Sequence, residues 1–311
     1  MSRQGKSVQV KSKTLALTGA KGQLGKTIQA CWASNPLNDE YSLQCFDRSQ
    51  LDITDSVSIS ETLNSKRIDC IINAAAYTAV DKAESDPDSA QAVNELGAEN
   101  LARWCGNNNA YLIHVSTDFV FSGSKAEPYL PKDACDPQGV YGKTKQAGEV
   151  SIIKLLPQRS IVVRASWLYS EYGSNFVKTM LRLMAEKESL AVVNDQIGSP
   201  TSTHSLAHFL ITAAADKQHS GIFHWCDGGE LSWYDFAVAI QEEGLKAGLL
   251  GRQIPISPVS ATEYPTPAKR PAYSVLDRSQ SILDYNLRAS SWREELVAVI
   301  NRIGSESKSV N

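Results

Sequence analysis

Short apolar runs recur along the first half of this chain, each followed by a stretch whose apolar residues fall three or four apart. Leu15-Ala16-Leu17-Thr18, Ser42-Leu43-Gln44-Cys45-Phe46, the largely apolar run 68–73, Tyr111-Leu112-Ile113-His114-Val115-Ser116 and Ile161-Val162-Val163-Arg164 read as strands. Continuous rather than alternating apolar character marks strands covered on both faces, as in a parallel sheet. Helical spacing follows over 26–32, from about 56 with Thr54 or Asp55 as cap, over 89–107, and around 141–148. Strand and helix alternating through short connections predict an α/β fold, a doubly wound parallel sheet of the Rossmann kind.

Beyond residue 166 the pattern is less regular. Helices are expected over 175–186, 206–215 and 233–243, strands over 190–194 and 222–225, and a proline-rich loop at 264–271. This predicts a smaller mixed α/β C-terminal lobe, with a long loop reaching back over the sheet to close on a substrate. The expected division is a disordered tail over 1–13, a dinucleotide-binding domain with the catalytic residues over 14–165, a mostly substrate-binding lobe over 166–303 with segments returning to the sheet, and a tail over 304–311.

Composition narrows the class. The chain has 311 residues, 21% of them charged, and a formal net charge of −3. That balance argues against nucleic-acid or membrane binding, either of which usually needs a basic excess. No apolar stretch approaches the ~20 residues that span a bilayer. Six cysteines lack any C-x-x-C spacing, and Cys45 and Cys70 fall inside predicted strands, which fits a reducing cytoplasm.

Candidate chemistry gathers at the ends of the predicted strands. Gly19-Ala20-Lys21-Gly22-Gln23-Leu24-Gly25 closes the first strand and opens a helix. Glycines there permit a sharp turn and the close approach of a pyrophosphate, while the helix N-terminus offers amide donors. Asp47 ends the second strand, where a carboxylate can take both hydroxyls of an adenosine ribose. Arg48 follows and can instead hold a 2′-phosphate, so NADH and NADPH both remain open. Ala74, Ala75 and Ala76 end the third strand with side chains too small to block a ligand. Thr117 ends the fourth, and Tyr141 and Lys145 lie four apart on one helix face. An ammonium beside a phenol stabilises the phenolate and brings proton transfer into the working range.

Several long blocks together resemble the extended short-chain dehydrogenases/reductases, in the branch that reduces nucleotide-linked 4-ketosugars. They are the glycine turn, the stretches 73–84, 116–121, 140–145 and 195–201, and Tyr264-Pro265-Thr266-Pro267-Ala268-Lys269-Arg270-Pro271. The resemblance implies NADPH or NADH as cofactor and a dTDP-linked 4-keto-6-deoxysugar as substrate. It implies that Gly22, Gln23 and Leu24 line the pyrophosphate, and that Asp52 and Ile53 sit near the adenine. Ala74, Ala75, Ala76 and Val115 would lie along the cofactor, with Lys145 on the nicotinamide ribose. Thr117 and Asp118 would meet the sugar, Trp167 would pack on it, and Arg270 would pair with its diphosphate. Tyr141 would be the proton donor, with Thr117 orienting the carbonyl. Another 4-ketosugar, or a non-catalytic regulatory subunit on the same scaffold, remains an alternative. Some members bridge a homodimer through Mg²⁺ held by glutamates, but Thr27 and His204 stand at those places, so Mg²⁺ is doubtful and a homodimer is left open. His204 and His208 are four apart without a third ligand, and no metal site is expected.

Overall fold

The computed structural model describes residues 13–288 and 290–309. Residues 1–12, most of the expected N-terminal tail, and residues 310–311 lie outside the described range. Five of the expected strands form as β1 (Lys13–Thr18), β2 (Tyr41–Phe46), β3 (Cys70–Asn73), β4 (Tyr111–Thr117) and β5 (Ser160–Ala165). With Gly221–Trp225 they make one six-stranded sheet in which every pairing is parallel. From one edge the order is Gly221–Trp225, β5, β4, β3, β1, β2.

Alternation along each strand sends successive side chains to opposite cores. Leu15 and Leu17 pack with Ile28, Trp32 and Phe209 on one face. Ala16, Ile71 and Leu112 pack with Ile59, Leu101 and Ile152 on the other. Helices therefore cover both faces, and the sheet is doubly wound. The strand order reverses between β1 and β3, and such a switch point opens a crevice at the carboxyl ends of its strands.

A separate apolar cluster of Tyr169, Met180, Leu181, Phe236, Ile240 and Leu296 organises the C-terminal half, around the helices Phe176–Glu186 and Trp233–Lys246. It adds short pairings that the sequence pattern does not announce, among them Ile256–Val259 beside Leu190–Val193. The last helix, Trp292–Ser309, runs through the segment expected as a tail from residue 304. Among the described residues, no helix is long and apolar enough to cross a membrane.

Candidate active site

The glycine turn sits at the switch point, and its glycines are there for contact. Gly19 has φ +69, and a Cβ on it would come within 2.6 Å of the Ala74 backbone. A side chain at Gly25 would collide with the Gly19 carbonyl, so the helix Gln23–Trp32 starts pressed against the turn. Its cap, Gly22, has no side chain to occupy the first amides, which leaves those donors for an anion.

A cleft of about 520 Å³ opens from this turn, within the range that small-molecule sites occupy. Gly19, Gly22, Asp47, Arg48, Asp52, Ile53, Ala74, Ala75 and Ala76 line it, nine of the positions expected to face a dinucleotide. Lys21, Ser49, Leu51, Thr54, Tyr77 and Val93 line it as well. Lys21 is the consequential addition, and its signal was a basic residue inside the glycine turn. It meets Asp47 at 2.5 Å. That hydrogen bond, helped by Ser49, holds the Asp47 carboxyl down at about 2. Arg48 is exposed and reaches Asp52 at 3.5 Å.

Other expected contacts can reach a cofactor only through backbone. The Leu24 side chain is buried in the core. Gln23 turns away: its Nε2 donates to the Leu168 carbonyl, and its Oε1 accepts from Ser170 and Asn175. The glycine turn is thereby stitched to the second lobe.

Asn73 is paired with His114, so residues 74–76 leave the sheet beside Val115, Ser116 and Thr117. Thr117 Oγ1 donates to Asp118 and caps Phe119 N–H, and it lies beside the Tyr141 phenol. Thr117, Asp118 and Tyr141 thus converge, although 24 residues separate the first from the last. Burial pushes Tyr141 up to about 12; the Thr117 contact opposes this and the Asp118 charge adds to it. Asp118 is 2% exposed. Burial raises it to about 6, against the nearby Ser274 hydroxyl and the hydrogen bond from Thr117. Its Oδ2 has no hydrogen-bond partner among the described residues, an acceptor suited to a ligand hydroxyl.

Lys145, on the helix Val140–Leu155, is buried and donates to the Val115 carbonyl at 2.7 Å. Burial brings its ammonium down to about 8, the nearby Glu149 charge working the other way. Val115 therefore acts on the lysine through its carbonyl. The helix is seated by a π turn, Ala92–Leu96, from which Asn94 Nδ2 donates to Thr144 and to the Tyr77 carbonyl. Such turns concentrate at functional sites.

Trp167 occupies the left-handed region at φ +48, an uncommon conformation for a bulky residue and one that marks functional sites. Its ring stacks on Trp233 at 3.4 Å and 9°, and a Cβ on Gly198 would strike it at 2.6 Å. Arg270 forms a bidentate pair with Asp81 at 2.8 and 2.9 Å and also binds Thr266. The structure thus gives this arginine a protein carboxylate, and the pair pins the 264–271 loop to the stretch after β3.

The places where the family resemblance would put a bridging Mg²⁺ do not suit one here. Thr27 is buried and hydrogen-bonds Thr203 at 2.6 Å. His204 is taken by Glu171 at 2.9 Å and by Cys31. Among the described residues, no group of three or more His, Cys, Asp or Glu side chains is placed to hold a metal ion. Burial of His204 favours its neutral form, but Cys31 and Glu171 outweigh it and raise the imidazole to about 9. A raised folded value gives stability that is full below the ordinary histidine range and lost as pH climbs through about 9. Melting temperatures taken from pH 6 to 10 are therefore expected to fall more steeply for the wild type than for His204→Gln.

A dinucleotide-sized cleft at the switch point, with a proton-bearing phenol and a lysine where the next strand ends, is what hydride transfer to a carbonyl requires. These features define an NAD(P)-dependent oxidoreductase of the short-chain dehydrogenase/reductase class. The chain belongs to the RmlD substrate binding domain family, whose model matches residues 13–305. It is 40% identical over 287 residues to the dTDP-4-dehydrorhamnose reductase of Aggregatibacter actinomycetemcomitans, covering 91% of this chain and 96% of that one. The enzyme of the same name from Escherichia coli strain K12 is 38% identical over 297 residues, covering 93% and 97%. Among solved structures, dTDP-4-dehydrorhamnose reductase from Bacillus anthracis strain Ames in complex with NADP superposes with a TM-score of 0.86. It is 37% identical and covers 93% of this chain and 99% of that one.

Proposed function

We propose that this protein reduces the C4 ketone of dTDP-4-dehydro-L-rhamnose to dTDP-L-rhamnose, with Thr117, Tyr141 and Lys145 as its catalytic residues. The observation that carries the reading is the convergence of Thr117 and Tyr141 at the end of β4, beside a buried lysine four residues along the same helix. NADPH or NADH, when bound, supplies the hydride. Tyr141 holds a proton at neutral pH and delivers it to the carbonyl oxygen. Thr117 hydrogen-bonds that oxygen and orients it, Lys145 steadies the phenolate left behind, and the orphaned Asp118 Oδ2 accepts a sugar hydroxyl. Gly19, Gly22 and Gly25 with the first amides of the helix Gln23–Trp32 hold the pyrophosphate, and Asp47, Asp52 and Ile53 the adenosine end. Trp167 lies against the sugar. Arg270, anchored on Asp81, holds the loop closed and keeps an edge for the diphosphate. The six free cysteines suit the cytoplasm.

The test supplies dTDP-4-dehydro-L-rhamnose with each cofactor, follows loss of the reduced nicotinamide absorbance, and identifies the product by NMR. Turnover only with a different 4-ketosugar would change the substrate. Cofactor binding without turnover on any would turn the reading toward a regulatory subunit, against which three intact catalytic positions weigh.

Lys21 and Arg48 flank Asp47, so a 2′-phosphate finds two cations and a ribose hydroxyl finds a carboxylate. Lys21→Ala is expected to raise KM for NADPH by about tenfold, the size of one charge-assisted hydrogen bond. KM for NADH should change less, and initial rates with both cofactors measure the difference.

A further inference from the structure

A chain of buried polar groups runs from the candidate lysine across three strands of the sheet. Lys145 Nζ lies 3.1 Å from His114 Nε2, His114 Nδ1 lies 2.9 Å from Asn73 Nδ2, and Asn73 Oδ1 receives Thr18 Oγ1 at 2.6 Å. Thr18, Asn73, His114 and Lys145 are each no more than 1% exposed. No solvent is at hand to absorb a mismatched donor, so the direction of each bond matters.

That direction can be worked out from one end. The backbone N–H of Ala75 donates to Asn73 Oδ1 at 3.1 Å. A backbone N–H has no other role, so the amide oxygen must face Ala75 and Thr18, and the amide nitrogen must face His114. The Asn73 nitrogen only donates, so His114 Nδ1 must accept. A neutral imidazole that accepts at Nδ1 carries its proton on Nε2, the atom facing Lys145. Nε2–H then needs an acceptor. An ammonium offers none, whereas an amine accepts from Nε2–H and still donates to the Val115 carbonyl.

We propose that His114, fixed by Asn73 with its proton on Nε2, is a positioning residue that tilts Lys145 toward the neutral amine in the cofactor-free protein and aims its remaining N–H at the cleft. The proposal rests on the catalytic role given to Lys145 above. Burial depresses Lys145 and His114 in the same sense, the lysine to about 8 and the histidine well below its usual range. The charge that acts on the lysine is Glu149, itself committed to Arg164 at 2.7 Å, while Tyr141 lies one turn back on the same helix with Asp118 beside it. With the lysine shifted toward its amine, Tyr141 keeps its proton until a ketone takes it, the resting state a reductase needs. His114 interrupts the apolar part of β4, between Ile113 and Val115, and that anomaly was its signal in the sequence.

The test reads the tautomer directly, by NMR of the imidazole nitrogens in histidine-labelled resting protein without substrate. His114 is picked out from the five histidines by its loss in His114→Gln. The expected result is a protonated Nε2 and a bare Nδ1. A proton on Nδ1, or an imidazolium at neutral pH, overturns the proposal. A second readout is the pH profile of kcat/KM. Asn73→Asp keeps an oxygen for Ala75 and Thr18 but faces His114 with an acceptor, which moves the imidazole proton to Nδ1 and turns a lone pair to Lys145. The lysine ionisation should then rise by about one pH unit, a tenfold change in proton concentration. His114→Gln, which can offer Lys145 an amide N–H and Asn73 an oxygen, should leave the profile in place. An Asn73→Asp profile superimposable on the wild type also overturns the proposal. The tautomer is read without turnover, so failure of the reductase reading would appear separately, as inactivity with the expected tautomer present.

Discussion

Tyr141→Phe is expected to lower kcat by about 10²–10⁴-fold, the usual contribution of a positioned general acid, while cofactor binding is retained. The variant removes one oxygen and little else. The ring keeps its edge contact with Phe119, at 5.6 Å and 76°, and the helix keeps its seat on Asn94 through Thr144. No buried partner is orphaned without recourse, because Thr117 Oγ1 still has Asp118 and the Phe119 amide. The oxygen matters because burial drives the phenol to about 12. A reductase needs an acid that is still protonated at neutral pH and surrenders its proton only as negative charge builds on the ketone oxygen. Initial rates at saturating ketosugar and calorimetric titration with NADPH measure the two halves. A Tyr141→Phe protein that turns over at wild-type speed would remove the phenol from the chemistry.

The parts of this site that could be read from sequence are those where one residue type answers a local demand. Gly19 is such a case: a turn with φ +69, packed on the Ala74 backbone, admits no side chain. The strands were legible because both faces are buried, which leaves uninterrupted apolar runs. Less legible was whatever depends on a distant partner. Gly148 looks like a helix stop, but the helix continues to Leu155. Gly148 is there because any side chain would strike the Asn94 carbonyl. The π turn that brings Asn94 there has the ordinary periodicity of the helix around it. The charge of Arg270 suggests a diphosphate partner, and only the fold reveals Asp81 beside it. Trp167 reads as an aromatic at a strand end, and its left-handed backbone is invisible in its identity.

Glu149→Ala is expected to cost about 3–5 kcal/mol of stability, the penalty for leaving a buried ion without its partner. Glu149 and Arg164 are each 2% exposed. The arginine donates through Nε at 3.0 Å and Nη2 at 2.7 Å, a two-pronged grip that joins the Tyr141 helix to β5. What remains around the guanidinium among the described residues is neutral: the Pro131 carbonyl, the Cys135 sulfur and His224, which burial and then the Arg164 charge lower to about 3. Removing both charges with residues of similar volume, as in Glu149→Leu with Arg164→Met, should restore most of the loss, because the penalty comes from isolating a charge rather than from losing the attraction. Thermal melts of the single and double variants measure this, and equal losses in both would mean that packing is the cause. The pair also reaches the chemistry. Glu149 lies one turn beyond Lys145, and its charge holds the lysine up against burial. Glu149→Gln, which preserves shape, should therefore move the Lys145 ionisation in the pH–rate profile downward. Asn73→Asp is expected to move the same ionisation upward. Opposite shifts from two ends of one buried network would show that the lysine is tuned by both, whereas shifts of the same sign would mean that a general loosening of the site moved them.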